Sequence, residues 1–295
     1  MSGVDRAAVR EAAARIAPFV HHTPVLRSHS LDDWIGAEVF MKAEHLQRVG
    51  AFKYRGATNA VQSLPEAEAR RGVAAHSSGN HAAALALAAA TRGVPAYVVM
   101  PANASAAKRA AVERYGGAVT TCDNTLDARK TVLAAVLERT GAIEIHPFDD
   151  ERVIAGAGTA ALELTQEIAD LDVVVTPIGG GGLCSGSCIA VAPMRVIGGS
   201  PRDRASTRAD GLRTGVSGRT EAILREHGVD PVVVDEPDIV AAMRVVWERT
   251  KQLIEPSAAV AFAAARAAAL DGALAGARVG VICSGGNVDL DSLSW

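Results

Sequence analysis

Short β-rich runs alternate with alanine-rich stretches of helical length along most of this chain, and this alternation restricts the fold more than any other feature. The runs are GVAAH (72–76), AYVVM (96–100), AVTTC (118–122), AIEIH (142–146), DVVVTP (172–177), MRVIGG (194–199), PVVVD (231–235) and RVGVICS (278–284). Between the first four lie helical stretches near 80–91, 105–115 and 125–139. Strands separated by helices read as parallel sheet with crossover helices, so the fold class is α/β. The first four strands form a compact βαβαβαβ block, and the later ones are spaced less evenly. The simplest division is a small domain over 72–148 inserted into a large domain made of 1–71 and 149–295. Residues 200–222, polar and poor in helix formers, read as a surface connection.

In open α/β sheets, ligands sit beyond the carboxyl ends of the strands. Three glycine-bearing polar loops fall there: Ser77, Ser78, Gly79, Asn80 and His81 after one strand, Gly179 to Gly182 after a second, and Ser284, Gly285, Gly286 and Asn287 after a third. The four consecutive glycines precede a helix starting near Leu183. Backbone N–H groups at a helix N-terminus, freed from side chains, favour a phosphate. The nucleotide versions of such a loop fail, because no GK[ST] follows and the spacing at 179–186 does not fit GxGxxG with a following acid.

Several partner classes are excluded by simpler observations. A net charge of -3 gives no basic field for nucleic acid or an anionic membrane surface. The longest apolar run, Ala82 to Ala90, has the length of a buried helix. The first 20 residues mix acids and bases in a helical pattern and lack the apolar core of a signal peptide, so the expected location is cytoplasmic. Cys122, Cys184, Cys188 and Cys283 show no CxxC or zinc spacing and read as reduced buried thiols; His21 and His22 read as a surface or core pair. No metal-ligand motif is present.

A phosphate cradle with small polar loops suits pyridoxal phosphate, whose aldehyde needs an amine of lowered pKa in an apolar setting. Lys53, between Phe52 and Tyr54 in QRVGAFKYRGATNA, meets that need better than Lys42, Lys108, Lys130 or Lys251. The competing reading of Lys53 is a solvated lysine at the start of a helix.

KAEHLQRVGAFKYRGATNA, SSGNHAAALALAA, HPFDDERVIAGAGTAALE, PIGGGGLCSG, EPSAAVA and SGGNVDL, collinear from about His22 to Leu290, resemble the fold type II pyridoxal phosphate enzymes of the threonine dehydratase and serine racemase group. The resemblance implies two open-sheet α/β domains of the tryptophan synthase β type, with the cofactor in the cleft between them. It implies that Lys53 carries the cofactor and moves the substrate's α-proton on one face, and that Phe52 lies against the ring. Gly179, Gly180, Gly181 and Gly182, with the Leu183 amide, would hold the phosphate. Asn80 would bond the ring hydroxyl and Ser284 the pyridine nitrogen. Ser77, Ser78, Gly79, Asn80 and His81 would grip the substrate carboxylate, and Ser78 is the acid/base of the opposite face in the racemases.

A neutral Ser284 does not keep the pyridine nitrogen protonated as an aspartate does, which favours prompt loss of a β-hydroxyl over a long-lived carbanion. The expected activity is therefore dehydration and deamination of a small β-hydroxy amino acid (serine, threonine or a hydroxyaspartate-like compound) to a 2-oxo acid and ammonia. The alternatives are an amino-acid racemase and a non-catalytic phosphate-ligand binding protein. A small amino acid is the expected partner, in a homodimer or higher homo-oligomer.

The sequence departs from the family pattern at three points. Ala51 replaces the serine common before FK. Arg129 matches an arginine that, in the branch acting on serine or hydroxyaspartate, approaches a second acidic group; an exposed helix arginine is the other reading. Some members hold a divalent cation at the 198–211 connector through a glutamate, an aspartate and a backbone oxygen. Here Ser200 stands at the glutamate position and Ser206 where an acid is expected, among Arg202, Arg204 and Arg208, which read as solvated. No structural cation is expected.

Overall fold

The computed structural model describes residues 3–290 and Leu293. Met1, Ser2, Asp291, Ser292, Ser294 and Trp295, at the ends of the expected large domain, lie outside the described residues. Among the described residues, ten strands follow in chain order: β1 (Val25–Leu26), β2 (Glu38–Lys42), β3 (Val73–His76), β4 (Ala96–Pro101), β5 (Ala118–Cys122), β6 (Ile143–Glu144), β7 (Val173–Pro177), β8 (Arg195–Pro201), β9 (Val232–Val234) and β10 (Arg278–Ile282). They form a six-stranded sheet in the order β1-β2-β10-β7-β8-β9 and a four-stranded sheet in the order β5-β4-β3-β6. Only the β1–β2 pair runs antiparallel, so the larger sheet is mixed and the smaller is parallel throughout. The expected α/β class with two open sheets is what the chain adopts.

The continuous apolar run VVVTP of β7 is buried at every position because helices cover both faces. Val173 and Val175 enter one core cluster with Phe262 and Val260 of the Pro256–Leu270 helix. Val174, pointing the other way, joins Ile154, Leu164 and Cys188 from the Glu151–Glu167 and Gly182–Val191 helices. The smaller sheet has its own core, in which Val73, Ala75 and Val98 meet Leu85 and Ala89. The helix Lys53–Gln62, which precedes β3 in the chain, inserts Tyr54, Ala57, Ala60 and Val61 into that same core.

Because every crossover is parallel, the loops that follow β2, β7, β8 and β10 emerge at one edge of the larger sheet, and those after β3, β4, β5 and β6 at one edge of the smaller. Loops from both edges line one shared cavity. One expectation is corrected here: residues 200–222 are not merely a surface connection. Gly211 to Ser217 line the cavity, and the helix Gly218–Glu226 begins behind them with a capping box between Ser217 and Thr220.

Candidate active site

Lys53 reaches the cavity because the loops on either side of it are stitched to the loop after β10. The Phe52 amide donates to the Ser284 carbonyl at 3.0 Å, the Gly286 amide to the Gly50 carbonyl at 2.9 Å, and Ala51 and Gly285 form an isolated antiparallel bridge. Lys53 and Ser284 are thereby held side by side on backbone that cannot shift independently. Lys53 Nζ donates to the carbonyl of Pro147 at 2.8 Å and lies 5.1 Å from the Phe52 ring centroid. Burial pulls its pKa down to about 8, and Glu255 partly opposes that shift. Lys42, by contrast, is fully buried but ion-paired with Glu163 at 2.9 Å. Burial alone does not separate the two lysines; Lys42 is paired with a carboxylate, whereas Lys53 donates to a neutral carbonyl.

The glycine loop is shaped by contacts that leave no room for side chains. A Cβ on Gly180 would fall 2.2 Å from the Phe148 ring, and Gly181 takes a φ of +90° with Thr220 pressed against it. No side chain caps the helix that begins at Gly182, so the N–H groups of its first turn remain for an anion. Thr220 Oγ1 donates to the Gly180 carbonyl at 2.8 Å and fixes the loop from behind.

All the expected site residues line one cavity of about 630 Å³: Phe52 and Lys53, Ser77 to His81, Arg129, Gly179 to Leu183, and Ser284. Two of them have side chains turned elsewhere. The His81 ring bonds the Ile145 carbonyl at 2.9 Å, and burial together with nearby Lys53 lowers its pKa to about 3, so it is neutral and its side chain is structural. Asn80 Nδ2 donates to both carboxylate oxygens of Glu255, and its Oδ1 accepts from Asn287 Nδ2 at 2.9 Å. Arg129 is not an exposed helix arginine: it lines the cavity, with Nε buried and without a hydrogen-bond partner and Nη2 on Asn124 at 2.8 Å.

Sequence reasoning missed Glu255. It is 5% exposed, in the cavity wall, and burial raises its pKa to about 7. It stands before Pro256 at the start of a helix, where an acid ordinarily serves the helix dipole; nothing in EPSAAVA alone distinguishes that use from a turn into the cavity. Lys108 and Asp210 were also missed. They meet at 2.5 Å in the cavity wall, one after β4 and the other after β8.

An unpaired amine of lowered pKa, an uncapped helix N-terminus behind a glycine loop, and an uncharged hydroxyl on Ser284 make a donor set that fits pyridoxal phosphate. The family model described as "Pyridoxal-phosphate dependent enzyme" matches residues 16–285. The chain belongs to that family. Among known members, the enzyme is 43% identical to a serine racemase of Oryza sativa, over 98% of this chain and 92% of the relative. It is 42% identical to a beta-hydroxyaspartate dehydratase of Paracoccus denitrificans, with 95% of each chain covered. Its fold matches the solved structure of maize serine racemase with a TM-score of 0.95 at 40% identity, covering 98% of this chain and 95% of that one. The enzyme therefore has the fold type II architecture and uses pyridoxal phosphate. No helix among the described residues is long and apolar enough to cross a membrane.

Proposed function

We propose that this enzyme is an ammonia-lyase that dehydrates a small β-hydroxy amino acid to a 2-oxo acid and ammonia. Pyridoxal phosphate, when bound, supplies the electron withdrawal that makes the substrate's α-hydrogen acidic. Lys53 anchors it and moves the α-proton on one face. Gly179 to Gly182 and the Leu183 amide would hold its phosphate, Phe52 would lie against its ring, and Ser284 would offer the ring nitrogen a hydroxyl without a charge. Asn80 stays the candidate for the ring hydroxyl, through the Nδ2 hydrogen that Glu255 does not take. The hydroxyls and amides of Ser77 to His81 bind the substrate carboxylate.

The observation that carries this reading is the Lys53 amine, inside the cavity and bonded to the Pro147 carbonyl rather than ion-paired, with burial outweighing the pull of the Glu255 charge. Arg129, with a buried unpartnered Nε in the same wall, favours a β-hydroxy amino acid bearing a second carboxylate, and the dehydratase of Paracoccus denitrificans is named for such a compound. Borohydride reduction and peptide mapping should place the pyridoxyl group on Lys53. A panel of serine, threonine and 3-hydroxyaspartate isomers, assayed for 2-oxo acid and ammonia, tests the reaction; cofactor bound at Lys53 with no 2-oxo acid from any of them sinks it.

Racemisation is a second reading, favoured by Ser78 in the cavity wall and by the identity to serine racemases. Four free, buried cysteines agree with a cytoplasmic setting. A homodimer or larger homo-oligomer is part of the proposal, to be read by sedimentation.

A further inference from the structure

The connector after β8 holds a charged side chain for which the chemistry above has no use. Arg204, expected to be solvated, is turned inward instead. Its Nη1 donates toward three backbone carbonyls, of Gly179 at 3.2 Å, Leu212 at 3.1 Å and Thr214 at 2.9 Å, and its Nη2 donates to Ser200 Oγ at 2.9 Å. One terminal guanidinium nitrogen has only two hydrogens, so three carbonyl oxygens around it are gathered by positive charge as much as by individual bonds.

Other charges of the connector are engaged elsewhere. Arg202 pairs with Asp235 at 2.5 Å, and Asp203 accepts from the amides of Ala205 and Ser206 and from the Ser206 hydroxyl. Burial alone lowers the pKa of Arg204, with no acid acting on it, and a guanidinium stays charged under such a shift. A group of oxygens converging on one positive centre is what a hard divalent cation requires. Here the residues do not fit such an ion. Ser200 brings no negative charge, Ser206 is turned to Asp203, and a fixed like charge sits where the oxygens converge.

We propose that Arg204 is a built-in cation, an organic replacement for a divalent ion, which ties the connector to the glycine loop and so holds the phosphate cradle in shape. Gly179 is the link. Its carbonyl receives the guanidinium, while a Cβ on it would meet the Gly211 carbonyl at 2.8 Å, so loop and connector are already in contact there. Arg204 is a positioning residue, and the proposal rests on the reading of Gly179 to Gly182 as the cradle.

The test measures cofactor dissociation by equilibrium dialysis and the bound phosphate by phosphorus NMR, in the holoenzyme. In the unaltered enzyme, neither chelator nor magnesium should change either readout. Arg204→Ala should weaken cofactor binding by about tenfold or more and shift the phosphorus resonance. Millimolar guanidinium chloride should restore both, whereas sodium chloride at equal ionic strength should not. The double variant Arg204→Ala with Ser200→Glu leaves three carbonyls and a carboxylate around one point, and magnesium or calcium should then take over the rescue. Loss of cofactor from the unaltered enzyme with chelator, reversed by magnesium, overturns the proposal, as does an Arg204→Ala enzyme that binds cofactor normally. If Arg204→Ala does not fold, the unaltered enzyme and the double variant with cation decide. Gly181→Ala, whose Cβ would lie 2.7 Å from Thr220, separates the two readings. Weakened binding in Gly181→Ala beside an unaffected Arg204→Ala rejects Arg204 alone; normal binding in both rejects the cradle.

Discussion

Asn80 Nδ2 donates to Oε1 and Oε2 of Glu255 at 3.0 and 3.1 Å, joining the loop after β3 of the smaller sheet to the start of the Pro256–Leu270 helix behind the larger. The Asn287 amide donates to the same carboxylate at 3.1 Å, so three segments share one buried acid. Burial still outweighs these donors and leaves the Glu255 pKa at about 7.

That balance makes stability depend on pH in a defined window. The folded pKa lies above the usual 4.5, so the stabilising contribution of the protonated acid is complete below pH 4.5 and is lost as pH rises through about 7. Denaturant unfolding of the cofactor-free protein should show this loss between pH 4.5 and 7 in the unaltered chain, and Glu255→Gln should flatten it. Equal slopes in the two proteins would count against a buried, titrating Glu255.

Capture of cofactor by the cofactor-free protein should follow deprotonation of Lys53, rising with pH around a midpoint of about 8. Because the Glu255 charge raises the Lys53 pKa, Glu255→Gln should move that midpoint lower. Stopped-flow absorbance across pH 6–10 reads both, and a midpoint near that of a free lysine would remove the argument for a desolvated amine.

Ser78→Ala should abolish racemisation, by roughly two or more orders of magnitude for a lost proton-transfer group, and should spare elimination from the isomer whose α-hydrogen faces Lys53. Chiral chromatography and 2-oxo acid release, run on both enantiomers, separate the two outcomes. Loss of elimination from both would mean that Ser78 acts in binding alone.

Arg129→Ala should raise KM for 3-hydroxyaspartate by about tenfold or more, the scale of a lost charge-assisted hydrogen bond, and leave serine nearly unchanged. An equal change for both substrates would return Arg129 to a structural part.

Arg55, two residues after Lys53, is fully buried between Glu44 and Glu163, at 2.7 and 2.6 Å. Removing it strands Glu44 and leaves Glu163 to Lys42 alone, so Arg55→Ala should destabilise the protein by about 3–5 kcal/mol, and Arg55→Lys should recover little because a single ammonium cannot serve both carboxylates bidentately. Thermal unfolding checks this.

The fold was legible where periodicity was unambiguous. β3 to β10 all fall within a residue or two of the β-rich runs, most plainly β4, β7 and β10, where a strand buried on both faces is nearly continuously apolar. β2 was not legible: EVFMK ends in a lysine, and only the structure shows that Lys42 is tolerated inside because Glu163 neutralises it. The loops carrying Ser78, Gly179 to Gly182 and Ser284 could be placed at strand ends from the glycines, whereas Lys53 stood out by its apolar flanks and the order of the motifs. Glu255 and Arg204 could not, since their roles depend on which way a long charged side chain turns, and neighbours distant in the chain decide that.

The contact between Lys108 and Asp210 joins two walls of the cavity, and both side chains remain more than a third exposed. An ion pair so placed is worth at most about 1 kcal/mol, a several-fold preference. The two halves of the cavity wall are therefore joined here by a contact that salt loosens, while the groups seated on packed strands and helices keep their places whatever the ionic strength.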